Sequence, residues 1–180
     1  NSEVIDFSHI NASKANFDEI YRMADPRAYF SVLGALDYMI PDVAEPVIRQ
    51  ILAAKTDADG GTEPTVLDVG CSYGINAALH RFRLNFDILR RRYARREMAA
   101  LNPDVMIDLD RNYFASWPDT GQGRFIGLDV SQPAIRYAKT VGLLDDGIAV
   151  DLETTSLSPE QAKIVGRANV LVERTNGNVE

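Results

Sequence analysis

Three aspartates and a pair of glycines are the residues of this sequence best placed to do chemistry. Asp68 lies in the apolar run Thr-Val-Leu-Asp-Val at 65–69. Gly70 and Gly74 follow, with Cys71, Ser72 and Tyr73 between them. Glycine accepts positive φ and lets a ligand approach the backbone without meeting a Cβ. A helix beginning after such a turn presents free N–H groups and a partial positive charge. A carboxylate at Asp68 can meet a cationic ligand directly or through water. Taken alone, the glycine pair also makes an ordinary tight turn. Asp129 ends a second apolar run, Arg-Phe-Ile-Gly-Leu-Asp at 124–129, and Asp151 follows a third, Gly-Ile-Ala-Val at 147–150. In a doubly wound fold, a carboxylate ending the second strand holds ribose hydroxyls. Either aspartate can instead cap a helix or face solvent, and Glu153 competes with Asp151.

The elements around these residues follow from periodicity and punctuation. The spacing predicts helices over 13–23, 26–38 and 43–54, the last carrying Val47, Ile48, Ile51 and Leu52. Residues 55–64, with Gly60-Gly61, read as a loop. Strands are expected at 65–69, 124–129, 147–150 and 169–172. A helix resumes at Ile75 and runs through Phe82. Asn85 caps another through Arg96 and beyond, which Asn102-Pro103 stops; residues 104–116 form a further helix. Ser131 and Ser158 start helices with proline in their first turns. Strands alternating with helices predict an α/β fold: a doubly wound, mainly parallel sheet with helices on both faces. The expected organisation is an N-terminal helical lid region at 1–60 and a Rossmann-like domain at 61–180. That domain carries a helical insertion at 81–123, and its sheet is expected to lack its C-terminal strands.

With these elements in place, the segment Val66-Leu67-Asp68-Val69-Gly70-Cys71-Ser72-Tyr73-Gly74 resembles the first motif of class I S-adenosylmethionine-dependent methyltransferases, acidic-x-Gly-x-Gly-x-Gly, with Ser72 at the middle glycine. Phe125-Ile126-Gly127-Leu128-Asp129-Val130-Ser131 through Ala138 resembles the second motif, and Ile148-Ala149-Val150-Asp151-Leu152 the third. The resemblance spans roughly residues 64–172. It implies that Gly70, Cys71 and Gly74 line the methionine moiety, Asp129 binds the ribose hydroxyls, Asp151 faces the adenine amino group and Leu152 contacts the adenine ring. Asp68, Ser72 and Val130 complete the candidate cofactor set. The segment 20–30 is similar to the N-terminal lid of such enzymes; Tyr21 and Tyr29 either cover the cofactor or pack on a helix. The implied activity is methyl transfer from S-adenosylmethionine, to a small molecule in preference to nucleic acid. The rival expectations are a module that binds the cofactor or a related nucleoside without transfer, and a nicotinamide-dependent dehydrogenase. The latter expects G-x-G-x-x-G, whereas residue 77 is alanine.

Composition narrows the rest. A net charge of −7 opposes broad nucleic-acid binding. Cys71 is the single cysteine, so no internal disulfide forms. No apolar run reaches the length of a membrane span, and the chain reads as cytoplasmic. Arg81, Arg83, Arg90, Arg91, Arg92, Arg95 and Arg96 crowd the insertion. They form either a clamp for an anionic substrate or a solvated helix face with Phe86, Leu89 and Tyr93 turned inward. His9 and His80 stand outside any catalytic pattern, and no Cys/His cluster has metal-ligand spacing.

Overall fold

A computed structural model describes residues 18–35 and 40–173. After a helical turn at 18–20, the chain forms helices α1 (Arg27–Ala35) and α2 (Ile40–Ala58) and strand β1 (Thr65–Val69). Helices α3 (Ile75–Phe82), α4 (Phe86–Tyr93), α5 (Arg96–Ala99) and α6 (Pro103–Ala115) follow. Then come β2 (Arg124–Asp129), α7 (Gln132–Thr140), β3 (Asp146–Ala149), α8 (Pro159–Val165) and β4 (Val170–Glu173). The fold is α/β, with a four-stranded all-parallel sheet ordered β3-β2-β1-β4.

That order records a reversal. The chain steps outward from β1 to β2 to β3, then returns to the far side of β1 as β4. With right-handed crossovers, the reversal puts α8 on the face opposite α3 and α7. Two apolar clusters separate accordingly. Val66 and Phe125 join Ala77, Ala78, Leu79, Ala134 and Ala138 in the larger one. Leu67, Ile126 and Leu128 take Ile164 and Val165 of α8 on the other. In doubly wound sheets the ligand crevice lies at the strand C-termini where the order reverses, which here is beside β1.

Local chemistry sets the helix starts. Asn85 accepts from Ile88 N at 2.8 Å, Ser131 Oγ from Ala134 N at 3.2 Å, and Ser158 closes a capping box with Gln161. Several expected boundaries shift. The stretch expected to be a loop from 55 is helical through Ala58. The helix expected to run from Asn85 past Arg96 breaks at Ala94-Arg95, leaving α4 and the four-residue α5. Of the helix expected at 13–23, only 18–20 is helical within the described residues, and 36–39 of the second helix lie outside them. On α2, Ile48 and Leu52 are buried, whereas Val47 and Ile51 face outward. No helix among the described residues is long and apolar enough to cross a membrane.

Candidate functional site

The glycine turn sits at the C-terminal end of β1, and its conformation explains its composition. Gly70, Ser72 and Gly74 have φ of 71°, 51° and 83°. Ser72 thus holds a left-handed backbone at the position where the resembled motif carries glycine, a conformation costly for a side chain. A Cβ on Gly74 would stand 3.1 Å from Ala138 Cβ and 3.2 Å from Leu143 Cβ, so the helix start must pass tightly over α7. A Cβ on Gly70 would meet nothing within 4 Å, which leaves open space beside the backbone there.

Asp129 ties the second motif to the first. Its Oδ2 accepts from Ser72 N at 2.9 Å, and its Oδ1 accepts from Ser131 N at 2.9 Å. One half-buried carboxylate therefore sets both loops at the sheet edge. Asp68 is fully buried beneath the turn, and its Oδ1 accepts from Asn76 Nδ2 at 3.3 Å. The Cys71 side chain packs into the core, where its Sγ would lie 2.7 Å from a Cβ on Gly127. Val130 and Leu152 are exposed by 66% and 52%, leaving two apolar side chains bare at the same edge of the sheet.

Asp151 departs from its expected place. It does not close β3, which ends at Ala149; it lies two residues beyond, exposed, with Oδ1 accepting from Glu153 N at 3.0 Å. The three aspartates share one edge of the sheet but at different depths: buried, half-buried and exposed.

The N-terminal segment is strapped across the turn. The Tyr73 hydroxyl shares its one proton between Ile20 O (2.8 Å) and Met23 O (2.9 Å), and Ser131 Oγ donates to Tyr21 O at 2.5 Å. Arg27 anchors the end of the strap through Asp25 and the carbonyls of Met98 and Leu101. Tyr29 is fully buried, edge-on to Tyr21 and Tyr73, so it serves packing.

Four of the insertion's arginines, Arg81, Arg90, Arg91 and Arg92, are paired within the fold. Arg81 pairs with Asp119 and donates to the carbonyls of Gly142 and Leu143. Arg90 and Arg91 pair with Asp87, while Phe86, Leu89 and Tyr93 are buried as the solvated-face reading expects. Arg92 reaches the buried Asp110, which also accepts from Tyr93 (2.8 Å) and Tyr137 (2.6 Å). Burial pushes the Asp110 carboxyl above the usual carboxylate range, and the hydrogen bonds from Tyr137, Tyr93 and Arg92 pull it back. This network and Asn76 were not evident from sequence, although a polar residue in Ile-Asn-Ala-Ala-Leu was a visible signal.

His80 is buried and structural: its Nε2 accepts from Gln122 N at 3.0 Å, and its Nδ1 lies 3.6 Å from Glu45 Oε1. His9 lies outside the described residues. Two open clefts, of about 430 and 380 Å³, lie one beside α2 and α3 and one between α6 and α7. Among the described residues, no group of three or more His, Cys, Asp or Glu is placed to hold a metal. Comparison with protein-family models, curated proteins and solved structures finds no significant match to this chain.

Proposed function

We propose that the chain binds S-adenosylmethionine at the glycine turn and supports methyl transfer to a small-molecule acceptor. The observation that carries this reading is the bond between Asp129 Oδ2 and Ser72 N, which joins two sequence motifs 57 residues apart at one edge of the sheet. The residues fit the cofactor's parts. Open space beside Gly70 admits a chain against the backbone. Asp129 retains lone pairs for ribose hydroxyls beyond the two amides it accepts, because an ionised carboxylate has about four acceptor sites. Val130 and Leu152 offer apolar surface for a purine, and Asp151 stands nearby as an acceptor for an exocyclic amine.

When bound, the sulfonium cofactor supplies an activated methyl group. The protein's contribution is orientation and exclusion of water. Gly70–Gly74 fix the turn, Asp129 fixes the sugar, and the strap at 20–24 shields the site from one side. No side chain is assigned as a base, since one is needed only where the acceptor must lose a proton.

Titration calorimetry with S-adenosylmethionine and S-adenosylhomocysteine tests the reading, with reduced nicotinamide dinucleotide as the control. The expected result is saturable binding of the first two and none of the third. Binding without methyl transfer to any acceptor class favours the non-catalytic module. Preference for the dinucleotide reverses the assignment.

A further inference from the structure

Helix α2 carries apolar side chains on two faces. Ile48 and Leu52 enter the core. Val43, Val47 and Ile51, spaced at i, i+4 and i+8, stand on the outer face and are 68%, 55% and 48% exposed. Pro46, Gln50 and Ala54 are exposed with them. From Val43 to Ala54 the outer face therefore holds no charge, in a chain whose residues are 25% charged. The helix keeps its charges on the flanks instead. Asp42, Glu45, Arg49 and Lys55 are partly buried there. Arg49 pairs with Glu45, and Asp42 accepts from Phe86 N at 2.9 Å. The solvent side of a surface helix ordinarily carries its charged residues, and a contiguous exposed apolar face marks a contact surface.

Three features of this face fit a second copy of the same chain. The first is its neutrality. A chain of net charge −7 repels its own kind, and this stretch brings no like charges together. The second is Gln50, the one polar side chain between Val43 and Ala54 on that face. An amide both donates and accepts, so it is complementary to its own copy across a two-fold axis, as a carboxylate or an ammonium is not. The third is Asp57, which continues the face into the last turn of α2 and is exposed, while the nearby Lys55 pairs with Asp59. A carboxylate at the end of its own helix is opposed by the helix dipole. An antiparallel neighbour centred on Gln50 sets Asp57 beside the partner's Val43 and the partner's Ala44, at the start of α2, where the dipole favours a negative charge. A parallel neighbour sets Asp57 against its own copy. We infer that the outer face of α2 is the interface between two copies of this chain, packed antiparallel about a two-fold axis at Gln50. This surface is independent of the cofactor reading above.

Sedimentation of the protein over a concentration series tests the inference. The wild type is expected to pass from monomer mass to dimer mass. Ile51→Glu is expected to weaken association at least about tenfold. It should leave the thermal midpoint of dilute protein unchanged, because the side chain is half exposed in the single chain. Oxidative cross-linking tests the arrangement, with Cys71 buried and out of reach. Gln50→Cys should link to its own copy. Val43→Cys should not, since its copy lies about 22 Å along the helix pair, yet Val43→Cys mixed with Ala58→Cys should give a linked dimer. Monomer at every concentration up to about 1 mM, or a dimer that Ile51→Glu leaves intact, overturns the interface. Self-linking of Val43→Cys, or none in Gln50→Cys, overturns the antiparallel packing about Gln50.

Discussion

At the glycine turn, single atoms decide what the backbone tolerates. Gly70 and Gly74 share a left-handed conformation but differ in surroundings. Gly74→Ala combines backbone strain with a clash against Ala138 and Leu143, and is expected to destabilise the fold by about 2 kcal/mol. Gly70→Ala carries the strain alone, about 1 kcal/mol, yet its Cβ would enter the open space assigned to the ligand. Thermal unfolding and titration of the two variants separate these effects. Gly74→Ala should lose more stability, while Gly70→Ala should lose more affinity than its stability loss accounts for. Equal stability losses would contradict the packing assigned to Gly74. The glycines and Asp129 were legible in sequence because turn chemistry and strand ends are local. Asn76 was not assigned a role because its bond is to Asp68, eight residues earlier on β1.

Between elements, two buried polar clusters hold the helices in place. Asp110 on α6 joins Arg92 and Tyr93 of α4 to Tyr137 of α7, docking the insertion on the domain. Asp110→Ala leaves the Arg92 guanidinium and at least one of the two phenols without an acceptor, and is expected to cost about 3 kcal/mol in denaturant unfolding. His80 links α3 to α2 and to the loop before β2. Burial and the nearby Arg49 hold its imidazole below the ordinary value, against the pull of Glu45. The unfolded chain therefore takes up a proton that the folded chain resists. This contribution to stability is full above the unfolded value, about 6.5, and declines as the pH falls through it. The thermal midpoint should drop between about pH 7.5 and about pH 5.5, and His80→Gln should flatten that drop. An identical slope in the variant would place the titration elsewhere. The sequence marked these helices by their apolar faces, as Phe86, Leu89 and Tyr93 illustrate. It could not show which arginine meets which carboxylate, because the partners lie 18 residues apart for Arg92 and 38 for Arg81.

Across the molecule, the strand order gives the site its position. Alternation of strands and helices in the sequence specified a parallel sheet. The reversal that places β4 beside β1 is a long-range pairing, recorded in the register that runs from Val66 with Val170 to Val69 with Glu173. In doubly wound sheets such a reversal marks the ligand crevice, and the glycine turn, Asp129 and the bare side chains of Val130 and Leu152 follow the C-terminal ends of β1, β2 and β3. The account stands or falls on what occupies this crevice. A crystal structure of the protein with S-adenosylhomocysteine should place the ribose on Asp129, the adenine near Val130 and Leu152, and the amino-acid end against the backbone at Gly70. Ligand bound in either of the two open clefts, or a crevice left empty at saturating ligand, would contradict it.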